Sequence, residues 1–545
     1  MIIYQILPRL FGNANENRIP NGSRKQNGCG TMADITPRAL RAIAELGATH
    51  VWYTGIIRHA TGERNNPAIT KGKAGSPYAI TDYYDVHPDL AADEKNRMAE
   101  FEALVRRTHR AGLKVIMDFV PNHVARQYKS KAKPKGVRDL GQDDNPNWAF
   151  SPLNNFYYLP GMPFSMDRDL QGYEEMPAKV TGNDCFTCHP SEGDWYETVK
   201  LNYGVFYQGG GEKQFSPIPN TWEKMRDILL FWAGKGIDGL RVDMAEMVPV
   251  EFFEWVIPQI KARHKKLIFI GECYDPNRYW AYIHAGFDYL YDKVGMYDYL
   301  RGVVSRGWSA EGISGRWLER GEQLKHMLYF LENHDEQRLA SGFFCGNGAN
   351  AEPAMVVAAA LTPNPLLIYM GQELGEKGMD FEGFSGIDGR TSIFDFWSLR
   401  SLQAWSNHGQ YDGGGLDDEQ RSLRAFYQRL LCLKRDNRAL SEGKMYDLQY
   451  AQGDGFNRAR QFVFLRHVEG DLLLVVVNFD DRRVDLRINI PTDAFVYLGL
   501  EACTHARMTD LLNGGESFTQ PFTDEQPVCL SLDAWKGAII KIERP

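Results

Sequence analysis

The chain has 545 residues, 43% of them hydrophobic and 24% charged, so it is a globular protein too long for one core and organised as two or three domains. A net charge of -8 argues against a nucleic-acid surface, and no apolar run is long enough to span a membrane. Aromatic residues make up 12% of the chain, with 26 Tyr and 12 Trp. A large aromatic core takes up much of this, and a sugar-binding groove, which needs flat apolar faces with polar tips, would use the rest. Eight cysteines scattered over this length do not make a disulfide scaffold. The opening MIIYQILPRLFGN is too short for a signal sequence. The chain as it stands is expected to be cytoplasmic, or a mature periplasmic or secreted form whose leader has been removed.

In chain order, Tyr4 to Pro8 reads as a first strand, and the polar, Gly/Asn-rich stretch from Asn13 to Met32 as a loop. Thr36 and Pro37 suit the N-cap and first position of a helix whose apolar face is Leu40, Ile43 and Leu46 and whose stop is Gly47. The strand THVWYT follows. A second helix carries Phe101, Leu104, Val105 and Thr108 on one face, stops at Gly112, and leads into the strand KVIMDFV. Pro121 to about Phe206 has no strong period and reads as an inserted subdomain. The alternation resumes with a helix presenting Met225, Ile228, Leu229 and Trp232, then the strand from Ile237 to Val242. Further strands are expected at 267–272, 287–292, 327–332 and 365–370. Eight strands separated by helices fit a closed parallel (β/α)8 barrel. From about Gly443 the texture becomes antiparallel, with a turn at Glu469-Gly470, so a C-terminal β-sandwich is expected. The domains are then 1–123 with 207–440 for the barrel, 124–206 for the insert and 441–545 for the sandwich.

In such barrels the chemistry sits at the carboxyl ends of the strands. Four strands here end in polar clusters: DFVPNH with Asp118, Asn122 and His123; GLRVDMAEM with Arg241 and Asp243; GEC with Glu272; and ENHDEQ with His334 and Asp335. Side chains alternate along a strand, so Arg241 and Asp243 point to the same side. Together and in this order the clusters resemble the four conserved regions of the α-amylase family, glycoside hydrolase family thirteen. The resemblance covers nearly the whole chain, including the insert after the third strand and the sandwich after the barrel. It implies that Asp243 is the nucleophile, Glu272 the general acid/base, and Asp335 the carboxylate that binds sugar hydroxyls. It implies that Arg241, His123 and His334 surround the reacting sugar, and that Tyr78, in SPYAITDYYDVHPDLA, stacks under it. The implied partner is an α-glucan and the implied reaction is retaining hydrolysis of α-1,4 bonds. A transglycosylase or isomerase on the same glycans, and a catalytically dead glycan-binding homologue, are the alternatives. Glycosidic cleavage needs a proton for the leaving group and an anion for the oxocarbenium-like state, which suits these carboxyls. Arg241 beside Asp243 is expected to hold the Asp243 pKa down.

The chain departs from the family in places. After Asp243 the family's amylases often carry a lysine and a histidine, where this chain has Glu246 and Met247, which alters a product-side subsite. Many members hold a calcium ion between barrel and insert. Asn122 matches one ligand, but Lys200, in ETVKLNYG, falls near the place of an aspartate ligand. No cofactor is expected to be required, and calcium is not expected at this junction. The loop FGNANEN has enough oxygens for a separate calcium, but a solvated loop is the plainer reading. Cys185-x-x-Cys188-His189 matches a haem-attachment pattern, yet two free thiols in a loop are expected. Asp388 and Arg390 follow the eighth strand, where they either reach a second sugar subsite or form a structural pair.

Overall fold

The computed structural model describes residues 1–544. Eight parallel strands close into a barrel in sequence order: β1 (Ile2–Ile6), β2 (His50–Tyr53), β3 (Lys114–Phe119), β4 (Gly239–Val242), β5 (Ile268–Gly271), β6 (Tyr289–Tyr291), β7 (Met327–Phe330) and β8 (Leu366–Tyr369). Leu366 pairs with Ile2 and closes the ring. The first strand lies two residues earlier than its apolar run suggested, because Pro8 opens a short helix at Pro8–Phe11. The helix Pro37–Glu45 has Thr36 as its N-cap, whose hydroxyl accepts from the Ala39 N–H, and buries Leu40 and Ile43 against the barrel. The helices Arg97–Arg110 and Asn220–Ala233 bury the apolar faces read from their periodicity.

The insert after β3 is built from short antiparallel pairs around its own small core of Tyr157, Phe164, Val180 and Tyr196. Its root is the pairing of His123–Ala125 with Thr198–Lys200, in which His123 lies opposite Lys200. The register of this one ladder therefore fixes where the insert meets the barrel.

The C-terminal domain has β9 (Lys444–Asp447), β10 (Gln461–Val468), β11 (Asp471–Asn478), β12 (Val484–Ile488), β13 (Cys503–Asp510), β14 (Phe518–Phe522), β15 (Val528–Leu532) and β16 (Gly537–Glu543). Six strands form a sheet in the order β9-β10-β11-β16-β13-β14, and β12 with β15 forms the facing pair. The runs FVFL and LLLVVV are apolar without alternation because both faces of this sheet are covered. Val463, Leu465, Leu474 and Val476 face the sandwich core. Phe462, Phe464, Leu473, Val475 and Val477 join the barrel core. Arg466, buried on β10, donates to the carbonyls of Ala360, Leu361, Ala439, Leu440 and Gly443. This satisfies carbonyls at the C-terminal ends of two helices at the domain junction. No helix among the described residues is long and apolar enough to cross a membrane.

Candidate active site

The barrel register brings the polar strand ends together. Arg241 on β4 pairs with Asp118 on β3 and with Ile270 on β5, so its guanidinium lies at the centre of the carboxyl-end face. One terminal nitrogen contacts Asp243 Oδ1 at 2.6 Å and the other contacts Glu272 Oε2 at 2.7 Å. The first nitrogen also lies 3.4 Å from Asp118 Oδ1, and Nε donates to the Tyr291 hydroxyl at 3.3 Å. A single buried cation thus makes neighbours of the two carboxyls from β4 and β5.

Glu272 is held at both oxygens. Its Oε2 accepts the Met244 N–H at 2.8 Å and its Oε1 accepts the Tyr274 hydroxyl at 2.6 Å. Met244 takes a left-handed backbone, φ +42°, which aims that N–H at the carboxylate. Asp335 stands opposite, at the end of β7, with its Oδ2 3.0 Å from His334 Nε2. The Gln5 amide on β1 contacts His334 Nδ1 at 2.8 Å and donates to Thr54 Oγ1 at 2.9 Å. An amide donor at Nδ1 leaves the ring proton on Nε2, facing Asp335 and the Tyr78 hydroxyl. The Tyr78 ring stacks on His334 with centroids 5.2 Å apart. These groups open into a cavity of about 360 Å³ whose walls include Tyr78, His123, Asp243, Glu272, Asp335 and Phe394.

Seven of the eight residues singled out by sequence converge here: Asp243, Glu272, Asp335, Tyr78, His123, Arg241 and His334. His123 is buried in the wall against Trp195, 5.2 Å between ring centroids. Arg390 sits at the rim, half exposed. It makes the local pair with Asp388 at 2.8 Å and also donates from Nε to the Asp335 backbone carbonyl at 2.6 Å.

One electrostatic expectation is corrected. Arg241 does touch Asp243, but burial raises the Asp243 carboxyl well above the usual range, and Glu272, Asp118 and Asp335 add to the rise against the single guanidinium. The carboxyls that converge on Arg241 thus disfavour one another's charge. Asp335 goes the other way, down to about 2. Burial works against this, and the His334 hydrogen bond together with the Arg241 and Arg390 charges outweighs it.

Several participants were missed by sequence reading. Asp118 was quoted in its motif without a role; its Oδ2 accepts the Trp52 indole N–H at 3.0 Å. Tyr274 carries a signal in hindsight, since i+2 on a strand end shares a side with Glu272. Lys71 pairs with Glu197 at 3.2 Å in the cavity wall. Glu246 accepts the N–H groups of Tyr274 and Asp275 at 3.0 and 3.1 Å, which turns a suspected subsite residue into a clamp on the loop after Glu272. At the barrel–insert junction the Lys200 ammonium bonds Asn122 Oδ1 at 2.7 Å, the Met247 carbonyl at 3.1 Å and Asp184 Oδ1 at 2.6 Å. Cys185 and Cys188 are free thiols, and His189 bonds Ser165 and Asp167.

The sequence profile described as "Alpha amylase, catalytic domain" matches residues 5–267. Alpha-amylase 3 of Dictyoglomus thermophilum is 25% identical over 394 residues, 68% of each chain. Alpha-1,4-glucan:maltose-1-phosphate maltosyltransferase of Corynebacterium pseudotuberculosis is 24% identical over 530 residues, 94% of this chain and 64% of that one. Among solved structures, the α-amylase of Geobacillus thermoleovorans complexed with acarbose superposes with a TM-score of 0.67 at 17% identity, covering 100% of this chain and 98% of that one. With the closed barrel, the insert after β3, the C-terminal antiparallel domain and the four strand-end motifs in order, residues 5–267 match the α-amylase catalytic-domain family, and the chain as a whole shares the fold of the solved α-amylase.

Proposed function

We propose that this protein is a retaining hydrolase of α-1,4-glucosidic bonds in starch, glycogen or maltooligosaccharides. The observation that carries the reading is the Arg241 fork, which holds one oxygen of Asp243 and one of Glu272 on its two terminal nitrogens. Retention requires two carboxyls close enough for one to attack the anomeric carbon directly, about 5–5.5 Å apart. Asp243 supplies the attacking oxygen and becomes the ester of the glycosyl intermediate. Glu272 in its acid form gives a proton to the departing glycosidic oxygen. Glu272 then takes a proton from the water that attacks the ester, and Asp243 leaves as carboxylate. Tyr274, bonded to Glu272 Oε1, orients that carboxyl in both steps.

Asp335 and the Nε2–H of His334 face the cavity as an acceptor and a donor for sugar hydroxyls, and His123 offers a further ring nitrogen from the other wall. Tyr78 presents its ring as a platform. Arg390 reaches the rim beside Asp335 and suits a subsite beyond the reacting sugar.

A second reading is glycosyl transfer, in which a sugar hydroxyl or a phosphate replaces water at the second step. The likeness to a maltosyltransferase favours keeping it, because the covalent half-reaction is the same. Incubation with soluble starch and with maltoheptaose, with and without added maltose or inorganic phosphate, separates the readings by product. Shorter maltooligosaccharides at a rate unaffected by acceptor support hydrolysis. Lengthened or phosphorylated products that dominate at millimolar acceptor support transfer. No products under any of these conditions overturns both.

A further inference from the structure

A second cavity, of about 370 Å³, lies between the hairpin of Ile57–His59 with Ile80–Val86 and the segment 127–131 that begins the insert. It shares no lining residue with the catalytic cavity. Two hydrogen bonds hold its walls together: the Lys129 N–H donates to the Thr81 carbonyl at 3.0 Å, and the Asn66 N–H to Gln127 Oε1 at 2.9 Å. Four cationic side chains, Arg58, Arg64, Lys129 and Lys131, line it against one carboxylate, Asp82. Asp82 is already saturated. It accepts the Tyr84, Lys131 and Ala132 N–H groups and the Ser130 hydroxyl at 2.6–3.0 Å. Arg58 and Arg64 pair with Asp85 and Asp89, which do not line the cavity. Lys129 and Lys131 are exposed and have no carboxylate partner among the described residues. The amides of Asn65 and Gln127 each use their oxygen on a backbone N–H, at Thr61 and Asn66, which leaves their NH2 groups to donate.

Among these donors stands one buried acceptor. His59 is 3% exposed, lines the cavity, and its Nε2 has no partner. Its Nδ1 lies 3.0 Å from the Ile57 carbonyl, which takes a donor only, so Nδ1 carries the proton and Nε2 a lone pair. The ring stacks on His87 with centroids 3.7 Å apart. Burial, then the charges of His87 and Arg9, push the His59 pKa well below its usual value, so the ring stays neutral. A buried lone pair without a donor is costly, and it selects what can sit beside it.

We infer that this cavity binds a phosphate group on a ligand that also carries a hydroxyl hydrogen, either hydrogen phosphate itself or a phosphorylated sugar. The two unpaired ammonium groups and the two amide NH2 groups suit the anionic oxygens. The hydroxyl hydrogen, on phosphorus in one case and on the sugar in the other, suits His59 Nε2. Sulfate has the same shape and charge but no proton at neutral pH, so it leaves that lone pair unmet. Divalent metals are disfavoured by the surrounding cations. Occupation would draw segment 127–131 onto the hairpin. His59 pairs with Ile80 there, two residues after the Tyr78 platform, so the ligand would brace both the root of the insert and one wall of the catalytic cavity.

The test is calorimetric titration of the full-length protein at neutral pH and constant ionic strength with inorganic phosphate, sulfate and glucose 6-phosphate. The site predicts one phosphate per chain, bound at least about tenfold tighter than sulfate. Lys129→Ala with Lys131→Ala, both at exposed positions, should weaken phosphate at least about tenfold and leave maltooligosaccharide turnover unchanged. His59→Phe keeps the stack on His87 and removes the lone pair, so phosphate falls to the affinity of sulfate while sulfate is unaffected. Glucose 6-phosphate binding tighter than phosphate supports the site with a sugar phosphate as its occupant; equal or weaker binding supports it with free phosphate. No phosphate binding at millimolar concentration, equal affinity for phosphate and sulfate, or phosphate binding undiminished in the double lysine variant overturns the assignment. The sulfate comparison and the lysine variant decide the matter if His59→Phe does not fold.

Discussion

Replacing Lys200 by methionine removes a buried cation at the barrel–insert junction and tests how the insert is held. The ammonium is buried, and three oxygens from different segments converge on it: Asn122 from the barrel end of β3, the Met247 carbonyl from the loop after β4, and Asp184 from the insert. Breaking a buried, hydrogen-bonded ion pair costs about 3–5 kcal/mol when the partner is left stranded. Asp184 is 38% exposed and can rehydrate, which places the cost near the lower end, about 3 kcal/mol. At 1.4 kcal/mol per factor of ten, the open population of the insert rises roughly a hundredfold. Amide exchange, or limited proteolysis across 124–206, should accelerate by that factor while the barrel strands keep wild-type protection. The ammonium also bears on calcium. A divalent ion about 4 Å from it would meet roughly 8 kcal/mol of repulsion at an effective dielectric of 20, twice the value for two unit charges. Calcium should therefore not bind at this junction in the wild type. Insert exchange within threefold of wild type, or calcium binding at this junction in the wild type, would refute the reasoning.

Other outcomes follow from the same contacts. Glu272→Gln should slow maltooligosaccharide cleavage far more than cleavage of an aryl glycoside with a good leaving group, since the latter needs little acid help. Equal losses under conditions where glycosylation limits both rates would remove Glu272 from the acid role. Burial first, then Lys200 and Lys71, lowers the His123 pKa from 6.5 to about 3. Between those values the unfolded chain binds a proton that the folded one refuses, so this residue's contribution to stability falls as pH drops through that window. His123→Gln abolishes the effect: the stability of the variant relative to wild type should improve by about 1.4 kcal/mol per pH unit from pH 6 to pH 4, and a flat difference in denaturation free energy would contradict it. Arg338 is buried on Glu332 at 3.0 Å and on the Met370 carbonyl at 2.9 Å, tying the end of β7 to that of β8. Arg338→Met should destabilise by about 3–5 kcal/mol, read as a lower denaturation midpoint, while Arg338→Met combined with Glu332→Leu recovers most of it.

The barrel was legible because its signals are local. Apolar runs of strand length, helix periods with caps such as Thr36, and the two-residue alternation that points Arg241 and Asp243 the same way all lie within a few residues of one another. Lys200 was legible through chemistry, since a cation stood where an anion was expected. The proton balance of the site was not, because Asp243 responds to how many carboxyls converge and how deeply all are buried, which no single segment encodes. Glu246 looked like a subsite residue because of its place after Asp243, and only the fold of 273–275 turns its carboxylate onto backbone N–H groups. The insert had no period to read because its strands are two or three residues long.

The central claim is that Asp243 forms a covalent bond to the sugar. It is tested most directly by trapping that ester. Glu272→Gln protein incubated with an activated fluorinated maltosyl donor should gain the mass of one glycosyl unit, and peptide mapping should place it on Asp243. Asp243→Asn should gain nothing and lose turnover by at least roughly 10⁴-fold with its fold intact. A label on any other residue, or an Asp243→Asn enzyme hydrolysing maltooligosaccharides within tenfold of wild type, would contradict the account.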